Sequence, residues 1–116
     1  GTQRLARLIG KSAAIELICS GAHVNTTDAV RIGLVNAVHP ADSLMEAVYK
    51  FASKLASKPR IAMRYALEAV NQGMNVTLKE GQAIEADLFG LCFSTEDQTE
   101  GMSAFLEKRK ANWKGR

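Results

Sequence analysis

Cysteine, proline and aromatic side chains are all scarce in this chain, and each shortage narrows what it can be. Its two cysteines, Cys19 and Cys92, lie far apart with no second cysteine near either. That excludes a CxxC redox motif, a zinc spacing and a disulfide framework, and leaves reduced thiols in an intracellular protein as the expectation. Two prolines and nine glycines among 116 residues, with most glycines where helices should stop, exclude a disordered or low-complexity chain. Aromatics make up 6% of a composition that is 47% apolar. A core drawn from Leu, Ile, Val, Met and Ala implies small close-packed helices rather than an aromatic-rich sandwich. No segment approaches the roughly 20 apolar residues of a membrane span, and no charged-then-apolar leader opens the chain. HExxH, GxSxG and a phosphate-cradling glycine loop are all missing, as are internal repeats and linkers.

What remains is the length of one domain, with a net charge of +3 concentrated at the far end. Lys108, Arg109 and Lys110 are followed by Lys114 and Arg116. Such a cluster suits phosphates, of a nucleotide cofactor or of nucleic acid. The plainer reading is a solvated last turn complementing a helix dipole. The chain opens on Gly1-Thr2-Gln3-Arg4, without a methionine, as a processed or domain-only chain would.

Punctuation and periodicity predict a succession of helices. Thr2 is read as the cap of a first helix carrying Leu5, Leu8 and Ile9 and ending at Gly10. Ser12 begins a second, with Ile15, Ile18 and Cys19 on one face and Gly21 at its end. Asn25-Thr26-Thr27-Asp28 resembles a capping box for a short helix ending at Gly33. Leu34 to Val38 is β-branched and bounded by Gly33 and Pro40, which predicts a short strand, with His23-Val24 as a minor partner. Ser43 and Glu46 predict another capping box, ahead of a helix with Leu44, Val48, Phe51 and Leu55 on one face. Pro59 falls in the first turn of the next helix, which is apolar on most sides from Ile61 to Val70 and so should be buried on more than one of them. Thr77 with Glu80, then Thr95 with Gln98, open the last two helices. Ile84, Leu88, Leu91 and Cys92 follow the period of one, and Met102, Phe105 and Leu106 are expected to face inward on the other. Gly81, Gly90 and Gly101 each cost about 1 kcal/mol within a helix, so close helix–helix or subunit contacts are expected there.

No active site emerges from these residues. His23 and His39 lack a nearby second ligand or nucleophile, so no metal site is expected. Glu46, Glu80 and Glu96 fall in first turns, where negative charge favours the helix dipole. Glu85 and Glu100 lie beside core positions, suited to buried ion pairs, and no carboxylate has the apolar surroundings that would tune it for acid–base work.

Several segments go beyond generic helix. Gly1-Thr2-Gln3-Arg4-Leu5 resembles the end of the GGTQRL segment of the enoyl-CoA hydratase (crotonase) family. Ala29 to Val38, AVRIGLVNAV, is similar to that family's "A…GLVN.V" signature. Thr95-Glu96-Asp97 and Glu100 to Arg109, EGMSAFLEKR, resemble its "T.D" cap and "EGM.AF.EKR" run. The motifs occur in order at family-like spacing and together span the chain.

The resemblance implies a mostly α-helical C-terminal domain of the crotonase fold over residues 1–116, with at most one or two very short strands, and an N-terminal spiral of ββα turns absent. Family members hydrate 2-enoyl-CoA thioesters, using two glutamates and a pair of backbone N–H groups for the enolate oxygen. Those groups lie upstream of the GGTQRL segment, so no catalytic residue is carried onto this chain and it is expected to be inactive alone. The resemblance also implies self-association into trimers or hexamers through these helices. A coenzyme A thioester is implied as substrate, with no covalent cofactor. By motif, Phe89 and Lys108 match an aromatic and a lysine that the family places near the CoA adenine, often in a neighbouring subunit's site, the ring suiting the purine and the ammonium a phosphate. The competing reading makes Phe89 a core residue and Lys108 a solvated one, and Gly90-Leu91-Cys92 departs from the family after Phe89. The implied location is the cytoplasm, or the mitochondrial matrix in a eukaryote. A free-standing, non-catalytic helical assembly module is the alternative. Nucleic-acid binding through the basic tail and Trp113 is disfavoured by a single Trp and one short cluster.

Overall fold

A computed structural model describes residues 1–116. It contains seven α-helices and no β-strand: α1 (Arg4–Ile9), α2 (Lys11–Ser20), α3 (Thr26–Arg31), α4 (Leu44–Ala56), α5 (Arg60–Gly73), α6 (Leu78–Cys92) and α7 (Glu96–Leu106). The chain divides into two compact units, Gly1–Lys50 and Phe51–Arg116.

In the first unit, α1 packs against α2, separated only by Gly10 at φ 85°. Thr2 does not cap α1. Gln3 holds that position without a side-chain hydrogen bond, and α2 begins at Lys11, one residue ahead of Ser12. Gly21 ends α2 in the left-handed region, its N–H bonded to the Leu17 carbonyl. Asn25 caps α3 as its sequence predicts, accepting from the Asp28 N–H at 2.8 Å and donating to the Asp28 carboxylate at 2.8 Å.

The strand expected at Leu34–Val38 is absent, and His23-Val24 forms no strand either. The cause is local. Gly33, at φ 76°, reverses the chain so that the N–H groups of Leu34 and Val35 both donate to the Ala29 carbonyl, at 2.9 and 3.2 Å. This is a helix stop of the Schellman kind. It takes the donors that a β-ladder would need, and β propensity without a partner strand does not make a strand. Ser43 also departs from expectation: its hydroxyl donates back to the Pro40 carbonyl at 3.3 Å rather than boxing with Glu46.

In the second unit, α5 and α6 form an antiparallel pair. The start of α5 (Pro59, Ala62) meets the end of α6 (Phe89, Cys92), and Gly73 at the end of α5 meets Gly81 near the start of α6. A Cβ on Gly81 would lie 3.4 Å from the Gly73 Cα, so backbones touch here as the glycine pattern predicts. Thr77 and Glu80 form a full capping box: the Thr77 hydroxyl accepts from the Glu80 N–H, and the Glu80 carboxylate accepts from the Thr77 N–H at 2.9 Å. The Thr77 N–H and the Thr77 hydroxyl, both donating to the Glu80 carboxylate, hold it below its ordinary range. Gly90 is different, with no atom within 4 Å of its virtual Cβ, and Gly101 faces the Trp113 ring at 3.2 Å rather than a backbone.

The core is small. Its only fully buried apolar residues are Ala14, Ala29 and Ala104, and no large side chain is wholly buried. The inward facing expected of Met102, Phe105 and Leu106 does not occur, since all three are exposed, Phe105 by 79%. Leu44, Val48, Phe51 and Leu55 share one face of α4 that nothing covers, and α5 is exposed at Leu67 and Val70. The periodicity that places these residues on faces is right, but this chain does not supply what covers the faces. Surface area gives the scale. The chain exposes 9370 Å², against about 6,200 Å² for a compact monomer of this mass and about 7,500 Å² for two separate compact bodies of half that mass.

Candidate functional site

The most densely bonded region is α7 with the residues that follow it. Residues 109–116 have no regular secondary structure, yet they run back along α7 as a strap, antiparallel to the helix. Three carboxylates in the first half of α7 hold it. Asp97, the only buried charged residue and 4% exposed, accepts the Lys114 N–H at 2.6 Å and the Gly115 N–H at 3.0 Å. Glu96 pairs with Lys114 and Arg116, each at 3.1 Å. Glu100 accepts two bonds from the Arg109 guanidinium, at 2.6 and 3.0 Å, and the Asn112 N–H at 2.7 Å.

The strap completes the helix at both ends. The free N–H groups of Glu96 and Asp97 at the start of α7 donate to the Arg116 carbonyl at 2.9 and 3.4 Å, which satisfies donors every helix start leaves open. Between these anchors the Trp113 ring lies on Gly101, where a Cβ would come within 3.2 Å. The face of α7 that covers itself is therefore Asp97, Gly101 and Ala104, one turn apart. Glu100 does form an ion pair here, but a partly exposed one rather than the buried pair expected of it, and Glu85 enters no salt bridge.

The Arg109 guanidinium and the Asn112 N–H lower the Glu100 carboxyl from 4.5 to about 2. A carboxyl held below its unfolded value contributes stability that is fully present above about pH 4.5 and is lost as pH falls toward 2. Trp113 is the only tryptophan, so its fluorescence reports the strap. Its emission is expected to shift to the red across that window, and unchanged emission down to pH 2 would contradict the clamp.

Lys108 occupies the turn between α7 and the strap. Its φ is 54°, the one positive value outside glycine, with the Lys108 N–H bonded to the Phe105 carbonyl and the Arg109 N–H to the Ala104 carbonyl. The left-handed residue closing such a turn is usually glycine, because an L side chain is strained there. Lys108→Gly is expected to raise stability by about 0.5–1 kcal/mol after glycine's entropy cost. A lower melting temperature would show that the lysine side chain itself supports the turn.

Phe89, the other sequence candidate, lies on α6 and is 64% exposed. It stacks edge-on with Phe93 at 5.2 Å between ring centres. It lines two apolar grooves, of about 340 Å³ with Pro59, Gly101 and Trp113 and about 420 Å³ with Tyr65 and Leu88. Lys108 lines neither groove. The aromatic bonded into the same turn as Lys108 is instead Phe105, which sequence reasoning placed inward. Its signal was the alanine beside it: Ala104 takes the buried stripe of α7, and that leaves Phe105 outside.

No three His, Cys, Asp or Glu side chains come together as a metal ion would require. His23 lines a small hollow with Asp28 and Arg31. The one buried carboxylate, Asp97, accepts two backbone N–H groups. No helix is long and apolar enough to cross a membrane.

Comparisons with known proteins agree with this architecture. The model of the enoyl-CoA hydratase/isomerase family matches residues 1–116. The crotonyl-CoA hydratase of Syntrophomonas wolfei is 49% identical over 113 residues, which are 97% of this chain and 44% of that protein. The mitochondrial enoyl-CoA hydratase of Pongo abelii is 45% identical, over 98% of this chain and 39% of its own length. The crystal structure of enoyl-CoA hydratase from Bacillus anthracis superposes with a TM-score of 0.95 at 41% identity, over 99% of this chain and 45% of that one. The chain thus spans less than half the length of these relatives. With its mostly helical fold, its ordered motifs and the match along its whole length, the chain belongs to the enoyl-CoA hydratase/isomerase family, as a helical C-terminal domain of the crotonase fold.

Proposed function

We propose that this chain serves as the assembly and CoA-contacting part of an acyl-CoA enzyme whose activity is the hydration of 2-enoyl-CoA to 3-hydroxyacyl-CoA. The observation that carries the reading is the uncovered apolar surface. Leu78, Phe105 and Leu106 are each more than 70% exposed, and Leu44, Val48, Phe51 and Leu55 lie open along one face of α4; apolar surface on this scale is what another protein body covers. A second copy of the same chain, within a trimer or hexamer, is the partner we assign. Catalytic groups lie outside these residues, so the chain by itself is not expected to turn over a short 2-enoyl-CoA. The family relatives named above include bacterial and mitochondrial enzymes, which supports the cytoplasm or the mitochondrial matrix.

The contact with coenzyme A is assigned to Lys108, whose ammonium enters none of the five ion pairs and is open to a phosphate, and to an aromatic beside the adenine. Phe89 is the residue the family pattern selects, and Phe105 is the one that shares a turn with Lys108. Calorimetric titration of coenzyme A into the chain and its Lys108→Ala, Phe89→Ala and Phe105→Ala variants tests this. Weaker binding by Lys108→Ala and by one of the phenylalanine variants is expected. Equal affinity in all four proteins would remove the CoA role.

A further inference from the structure

Lys108 is held in a costly conformation by residues on either side of it, while its own ammonium is left unbonded. On one side, Glu107 pairs with the Arg109 Nε at 2.5 Å. On the other, the Arg109 guanidinium and the Asn112 N–H both bind Glu100. Glu100 lies eight residues before Lys108 on α7, and its side chain is 22% exposed. No surface pairing of this density is needed to end a helix: a glycine at position 108 would close the same turn without strain. A non-glycine residue kept left-handed, inside a framework that over-determines it, is what a positioned functional side chain requires.

We propose that Glu100 is a positioning residue for Lys108: by pinning Arg109 and Asn112 it keeps the turn left-handed and so sets the direction in which the Lys108 side chain leaves the backbone to meet an anionic ligand group. This rests on the reading of Lys108 as a phosphate contact. Glu100 does not touch the ligand itself. Asp97 and Glu96 hold the far end of the strap through Lys114, Gly115 and Arg116, so removing Glu100 loosens the Lys108 end of the strap and leaves the other end anchored. The charges facing Glu100 are Arg109 and, at longer range, Lys114. Glu107 faces it only through Arg109.

The test is a double-mutant cycle with Glu100→Gln and Lys108→Ala, using coenzyme A as the probe and calorimetry as the readout. In parallel, the intraresidue amide-to-Hα NOE of residue 108 reports a positive φ by NMR. Glu100→Gln keeps the shape of the side chain and removes its charge. It is expected to weaken coenzyme A binding about tenfold, the scale of one charge-assisted hydrogen bond, and to abolish the left-handed signature. In the Lys108→Ala background the same change is expected to alter affinity little, because Glu100 acts through the ammonium. Equal losses in both backgrounds, or full affinity in Glu100→Gln, would overturn the proposal. If the unaltered chain fails to bind coenzyme A, the CoA reading falls, and the NMR signature still decides the clamp: an intact left-handed residue 108 in Glu100→Gln overturns it.

Discussion

Asp97→Ala is expected to release the strap from α7 and to destabilise the second unit by about 2–3 kcal/mol, the usual cost of stripping a buried acceptor from the donors it satisfies. The Asp97 carboxylate is 4% exposed and takes two backbone N–H groups seventeen and eighteen residues away. Those donors then have no partner, and the Trp113 ring between the two anchors loses its registration on Gly101. The measurement is a thermal melt read by Trp113 fluorescence. A lower midpoint together with red-shifted emission before melting is expected. Asp97→Asn, which keeps one acceptor oxygen, should fall between the two. An Asp97→Ala protein with unchanged emission and midpoint would show that the strap is held by its surface ion pairs, against the usual weakness of exposed pairs.

The second large effect is expected at the α5–α6 crossing. Gly81→Val places a branched side chain where even a Cβ already lies 3.4 Å from the Gly73 Cα and 3.8 Å from its carbonyl oxygen. Valine has essentially one rotamer in a helix and cannot swing clear, so the two helices must separate. Overpacking of this kind costs about 1–3 kcal/mol, well above the few tenths by which valine improves on glycine's helix propensity. In a unit of this size that corresponds to a loss of about 5–20 °C in melting temperature. Gly90→Ala is the control, because nothing lies within 4 Å of its virtual Cβ. It should stabilise the helix by about 1 kcal/mol. Equal effects of the two changes would mean that the helices do not cross at Gly81.

Much of this was legible in the sequence, and the parts that were not share a cause. Capping signals are local, and Asn25, Thr77 and Thr95 cap as their spacing implies. Gly81 was legible because a glycine inside a good helical pattern requires a reason. Leu34–Val38 was misread because β propensity is a statement about packing partners, while the N–H groups that decide the matter were already taken by Ala29. Phe105 was misread because helical period identifies a face without saying what covers it. The strap was invisible to periodicity, since it is irregular, and its basic residues read as a solvated cluster. In the structure Arg109, Lys114 and Arg116 are paired to carboxylates of α7, which leaves Lys108 and Lys110 as the cations of the cluster outside any ion pair, and of the two only Lys108 sits at a positive φ.

The role of the exposed apolar faces as assembly surfaces is tested most directly by the mass of the chain in solution. Sedimentation equilibrium across a range of concentrations is expected to give a multiple of the 12.6 kDa chain, consistent with a trimer or a higher oligomer. Replacing Leu78 and Leu106 with lysine should shift it toward the single chain. A stable monomer at all concentrations, with its apolar faces left in water, would contradict the account.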